Sequence, residues 1–223
     1  MAVMAQFGLP FDWPAEDDKS DFIVTSANEI AVRHLDSWGN WPVRSSLLIG
    51  PRKSGKTLLG RIFAARSGGR LIDDAETRSE QDLFHAWNEA QESRLPLLLI
   101  SSSAPPQWSI RLPDLRSRLH ATPTVEIQSP DVDLMSALLI KALAKRGLVL
   151  MPDIASFAAS QIERSYIAVS RAADVLDEAS LSQKRAITTG LVKNAFAQAG
   201  LMDRKISGDQ PHASEASHGQ STQ

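Results

Sequence analysis

Lys56 and Thr57, an ammonium beside a hydroxyl, close the octet Gly50-Pro51-Arg52-Lys53-Ser54-Gly55-Lys56-Thr57, which satisfies the G-x-x-x-x-G-K-[ST] phosphate-loop pattern. Gly50 and Gly55 permit the tight turn that points successive backbone N–H groups inward at an anion. The side chain of Lys56 brings a point charge to the β/γ-phosphates and Thr57 offers its hydroxyl to Mg²⁺. The helix N-terminus adds its partial positive charge. The expected contact set for ADP or ATP is Gly50, Pro51, Lys53, Ser54, Gly55, Lys56, Thr57 and Leu58. A glycine turn that fits by chance is the competing reading, and it would not require the buried strand and amphipathic helix that flank this one.

A second group of chemistry-bearing residues follows Leu71-Ile72. Asp73 and Asp74 end a short apolar run, as in a Walker B strand, where Asp73 holds Mg²⁺ through water and Asp74 orients the attacking water. A solvated acidic turn is the alternative, since only two apolar residues precede the pair. The metal set expected is therefore Thr57 and Asp73. Further along, the unbroken run Leu95-Pro96-Leu97-Leu98-Leu99-Ile100 ends in Ser101-Ser102-Ser103, which brings Ser103 towards the γ-phosphate.

These groups need a framework to bring them together, and hydrophobic spacing predicts one. Helices are expected over 27–38, 56–66, 80–92 and 112–119, the first capped by Thr25 or Ser26, with strands over 46–49, 70–72, 95–100 and 124–127. Strands alternating with helices predict a parallel α/β sheet. After Ser129-Pro130 the pattern is helical only, over 131–144, 152–163, 168–181 and 188–198, which makes a small bundle. The expected organisation is an arm (1–20), a phosphate-loop α/β domain (21–129), a helical lid (130–202) and a polar tail (203–223) without apolar period, expected to be disordered.

Length and charge narrow the classes. At 223 residues the chain can build one core plus a satellite domain, and a net charge of −2 argues against a protein that broadly coats nucleic acid or an anionic membrane. It has no cysteine, so neither a disulfide framework nor a thiolate metal site exists. No apolar run approaches the roughly 18 residues of a membrane span and no secretory signal is visible, so a cytoplasmic location is expected. The arm concentrates Phe7, Leu9, Phe11 and Trp13. Its segment Gln6-Phe7-Gly8-Leu9-Pro10-Phe11 resembles peptides that dock in the bacterial replication sliding clamp, with Gln6, Leu9, Pro10 and Phe11 as the contacting residues. Folding back onto the domain as a staple is the alternative.

An α/β nucleotide layer followed by a helical lid is the AAA+ plan, and several strings resemble the DnaA family, most closely its shorter regulatory branch, the Hda-type inactivators of DnaA. They are Asp21-Phe22-Ile23-Val24-Thr25-Ser26-Ala27-Asn28, which looks like the family's adenine-side segment, the phosphate loop, Leu71-Ile72-Asp73-Asp74-Ala75, and Ile100 to Pro106, which is similar to the sensor 1 strand. Leu112 to Leu119 is similar to box VII, which implies Arg118 as an arginine finger, with Arg116 as the neighbouring candidate. Ala168-Val169-Ser170-Arg171 falls where the family keeps its sensor 2 arginine, which implies that Arg171 meets the nucleotide. The resemblance implies a negative regulator of replication initiation. Together with the DNA-loaded clamp it would stimulate hydrolysis of DnaA-bound ATP through Arg118, with little turnover of its own. DnaA and the clamp are the implied partners, a homodimer is a further assembly, and no direct sequence-specific DNA contact is expected. Two departures stand out. The spacer from Thr57 to Asp73 is short by about one strand and one helix, and Ser103 stands where DnaA carries an acid. A helicase-loader-like autonomous ATPase and a degenerate interaction module are the rival readings.

Overall fold

A computed structural model of the chain describes residues 22–183 and 186–202; the arm peptide and the polar tail lie outside the described residues. Four strands, β1 (Ser45–Ile49), β2 (Arg70–Ile72), β3 (Leu97–Ile100) and β4 (Thr124–Glu126), form one sheet in the order β2-β3-β1-β4. All three pairings are parallel, with Leu48 opposite Ile100, Ile72 opposite Leu99 and Leu48 opposite Val125. Successive strand residues face opposite sides. Leu48, Leu98 and Ile100 therefore meet α1 (Glu29–Asp36) and α2 (Lys56–Ser67) through Val32, Leu35, Leu59 and Phe63. Leu47, Leu97 and Leu99 meet α3 (Glu80–Ser93) and α4 (Pro113–Ala121) through Leu83, Ala86, Leu115 and Leu119. The sheet is thus covered on both faces, which is why β3 reads as an uninterrupted apolar run.

The short spacer has a simple structural form. Gly68 caps α2 with φ +67°, and Gly69 passes so near Pro96 that a Cβ would lie 2.3 Å from its carbonyl oxygen. Helix α2 then feeds β2 directly, and β2 pairs with β3 at the sheet's edge. The expected loss of one strand and one helix therefore shortens the sheet without moving Asp73 from the end of a strand beside β3.

The lid comprises α5 (Val132–Ala144), α6 (Pro152–Ser160), α7 (Tyr166–Gln183) and α8 (Thr189–Ala199) around its own core, with Leu139, Ala155, Leu176 and Phe196 among its buried residues. Its caps follow sequence chemistry. The Asp131 carboxylate accepts from the Leu134 N–H at 2.7 Å and the Thr188 hydroxyl from the Leu191 N–H at 3.3 Å. Leu134 and Tyr166 join the α/β core, and the Tyr166 hydroxyl donates to the Gln128 carbonyl at 3.0 Å, stitching the lid to the end of β4. Burial and the nearby Asp131 push its phenol pKa up to about 12.

Several sequence boundaries shift. The third lid helix starts at Tyr166 rather than 168, and the second ends at Ser160 rather than 163. Leu95 and Pro96 precede β3, since proline has no N–H for the ladder; its carbonyl instead accepts from the Arg70 N–H at 2.8 Å. Helix α1 begins at Glu29, and neither Thr25 nor Ser26 caps it with a side chain. The Thr25 carbonyl accepts from the Asn28 and Glu29 N–H groups, while the buried Asn28 amide bonds Thr25 N–H and the Ile23 carbonyl. Among the described residues no helix is long and apolar enough to cross a membrane.

Candidate nucleotide site

Parallel strands deliver their C-terminal ends to one edge, so the register places the phosphate loop after β1 between the ends of β3 and β4. Gly50 takes φ +147° and packs against the end of β4, where a Cβ would lie 2.7 Å from the Ile127 carbonyl oxygen. Gly55 takes φ +89°, and a Cβ there would lie 3.1 Å from the Phe22 ring. Phe22, in the segment that precedes α1, thus lies against the loop. Replacing Gly50 by alanine forces a backbone collision in a strained conformation and is expected to cost about 2 kcal/mol. For a domain of this size that is a fall in Tm of roughly 4–8 °C, and an unchanged melting curve would contradict the close approach.

The loop's own chemistry is poised for an anion. Lys56 Nζ donates to the Gly50 and Pro51 carbonyls at 2.6 and 2.8 Å, so its donors rest on the loop itself. Burial pulls its pKa below the usual lysine value, against the opposing pull of Asp73, Glu76 and Asp74 in that order. Ser54 is buried and its hydroxyl has no hydrogen-bond partner among the described residues. Thr57 is exposed in the first turn of α2, and Leu58 is half-buried. A glycine cradle, an orphaned hydroxyl, a partly desolvated ammonium and a helix N-terminus suit a polyphosphate. Among the described residues no group of three or more His, Asp or Glu side chains could hold a metal by itself. Magnesium held jointly by phosphates, the Thr57 hydroxyl and Asp73 needs no such cage.

Asp73 and Asp74 follow β2. Asp73 is half-buried and its Oδ1 accepts from the Asp74 N–H at 3.0 Å; Asp74 is exposed with φ +51°. Ser103 is half-buried just beyond β3, and its carbonyl accepts from the buried Ser101 hydroxyl. Lys53, at φ +64°, reaches across to the lid, where its Nζ donates to Ser170 Oγ at 2.8 Å. Arg171, next to Ser170, donates to the Ala199 carbonyl at the end of α8 at 3.2 Å. A helix C-terminus is a favourable place for that cation.

Arg118 lies on α4, half-buried in a groove shared with Val43, Trp87 and Ser117. Its guanidinium stacks 4.1 Å from the Phe84 ring centroid and 4.9 Å from that of Trp87, and it donates to Asn88 Oδ1. All these partners belong to α3, none to the chain's own phosphate loop. Arg116, two residues earlier, is exposed.

Sequence reasoning missed two acids that organise this edge. Glu76 Oε1 accepts from the Ser102 N–H at 2.7 Å, joining the turn after β2 to the end of β3. Glu80 accepts from both the Arg111 and Leu112 N–H groups, at 2.9 and 2.6 Å, and so holds the start of α4. These hydrogen bonds, with the opposite charge of Arg111, hold the Glu80 carboxyl below its ordinary pKa. Both contacts join residues 26 or more positions apart, and no local pattern signals them.

Residues 131–196, α5 to α8, match the Hda lid-domain family. The fold is similar to domain III of the replication initiation protein DnaA from Thermotoga maritima, with a TM-score of 0.65 and 16% identity over 80% of this chain and 95% of that one. The lid is thus of the Hda type, on a fold shared with DnaA domain III. A replication initiator DnaA bound to AMPPCP and single-stranded DNA has a TM-score of 0.56, 16% identity and coverage of 74% of this chain and 67% of that one. An uncharacterized protein of Haemophilus influenzae is 33% identical over 115 residues, 51% of this chain and 50% of the relative. The chain thus spans about half the length of that curated relative.

Proposed function

We propose that this chain regulates replication initiation by acting on DnaA, promoting hydrolysis of DnaA-bound ATP while held on the DNA-loaded sliding clamp. The observation that carries the reading is an Hda-type lid over residues 131–196 on a DnaA-like nucleotide layer. In this reading the chain's own site, built from Gly50, Pro51, Lys53, Ser54, Gly55, Lys56, Thr57 and Leu58, holds ADP or ATP as a structural ligand. Thr57 and Asp73 would hold Mg²⁺, which supplies charge neutralisation between the phosphates. Asp74 is the candidate to orient water, and Arg171 the candidate to meet the nucleotide once it leaves the Ala199 carbonyl. Arg118, whose partners all lie outside its own phosphate loop, is free to serve a triphosphate held by another chain. Its detachment from α3 costs one hydrogen bond and two ring contacts.

The experiment combines the chain, DNA-loaded clamp and ATP-bound DnaA, and follows the nucleotide on DnaA. Faster conversion to ADP only when chain and clamp are both present supports the reading; no acceleration refutes it. Gln6→Ala is expected to abolish retention on the clamp, because the arm peptide with Leu9, Pro10 and Phe11 loses its polar anchor. Retention at the wild-type level would remove the arm from the proposal.

A further inference from the structure

The edge of the nucleotide site holds a carboxylate oxygen that the fold has buried and left without a partner, Oε2 of Glu76. Leaving an ionised acceptor unpaired is costly, so such an atom calls for a donor that arrives with something else. Its sister oxygen is fixed by the Ser102 N–H, so the side chain is already oriented. The turn over Ala75–Thr77 that carries it begins directly after Asp73 and Asp74, and Ala75 beneath is fully buried, which keeps the turn rigid. The carboxyl stays below its usual pKa even though burial, the largest influence, pushes it up: hydrogen bonding from the Ser102 side chain and backbone, then from the backbone of Glu76 itself, and last the charge of Lys56 together more than offset it. Glu76 also acts on Lys56 more strongly than Asp74 does.

We propose that Glu76 is the working partner of Asp73 in this site, its buried Oε2 accepting a hydrogen bond from water bound to the magnesium of a Mg²⁺–nucleotide. Asp74, exposed on its left-handed backbone, then takes no part in holding the metal, whatever it does for the attacking water. The assignment rests on the nucleotide-holding part of the proposed function. It also ties that nucleotide to the end of β3 through Ser102.

The test is ADP binding to the purified chain with and without Mg²⁺, for wild type, Glu76→Gln and Asp74→Asn. Glutamine keeps an oxygen for the Ser102 N–H but places an NH₂ donor where the water must donate. Metal-free ADP affinity is expected to be unchanged in both variants. The tightening produced by Mg²⁺ is expected to fall on the order of tenfold in Glu76→Gln, the usual scale for outer-sphere partners of a metal, and to persist in Asp74→Asn. Wild-type tightening in Glu76→Gln, or its loss in Asp74→Asn, overturns the assignment while leaving the nucleotide reading intact; absence of ADP binding by wild type overturns both. Unmodified protein gives a second readout, since adding Mg²⁺ to the ADP complex must shift the Ser102 amide resonance. A silent Ser102 amide sinks the proposal even where the glutamine variant fails to fold.

Discussion

Arg118→Ala is expected to lower the clamp-dependent hydrolysis of DnaA-bound ATP by about 10³-fold or more, the scale on which a guanidinium supplied in trans accelerates phosphoryl transfer. The reason is geometric as well as electrostatic. A planar fork can meet two oxygens of the developing metaphosphate at once, so Arg118→Lys, which keeps the charge, should recover little. The folded state should tolerate the change. Arg118 gives up stacking on Phe84 and Trp87 and its bond to Asn88, contacts at a half-buried position worth about 1 kcal/mol. A rate loss with an intact melting transition separates the finger role from a scaffold role. Arg116→Ala is the control. If it abolishes stimulation while Arg118→Ala does not, the exposed Arg116 is the finger and Arg118 only fastens α4 to α3.

Lys56→Ala should remove the protein's response to nucleotide. A charge-assisted hydrogen bond to phosphate contributes about 1.5–3 kcal/mol, so ADP affinity should fall roughly 10- to 150-fold. The free protein should change little, because losing the bonds to the Gly50 and Pro51 carbonyls is offset by no longer burying an ammonium. The measurement is the rise in Tm on adding ADP, which mass action ties to ligand concentration over Kd. Wild type should show the rise and Lys56→Ala should not at the same ADP concentration. If the variant also retains full action on DnaA, the nucleotide is dispensable and the chain works as an interaction module.

The two predictions draw on features of different legibility. The phosphate loop was readable because its chemistry is local: successive backbone groups must surround an anion, and glycine readily takes φ of +147° at Gly50 and +89° at Gly55. Lid capping by Asp131 and Thr188 was equally local. Arg171 was not, because its rotamer depends on how α7 packs on α8. The same holds for the parking of Arg118 on Phe84 and Trp87, which requires α3 and α4 to lie side by side.

Composition and spacing alone determined the alternation of strands and helices, the phosphate cradle and the change to an all-helical second half. Each depends on periodicities or backbone conformations set within a few residues. Tertiary structure decided that the shortened spacer leaves β2 as an edge strand still beside β3, that Glu76 joins the nucleotide edge through Ser102, and that Arg118 faces α3 instead of its own loop. Those arrangements arise where segments far apart in the chain share backbone donors or ring faces, and no stretch of sequence contains both partners.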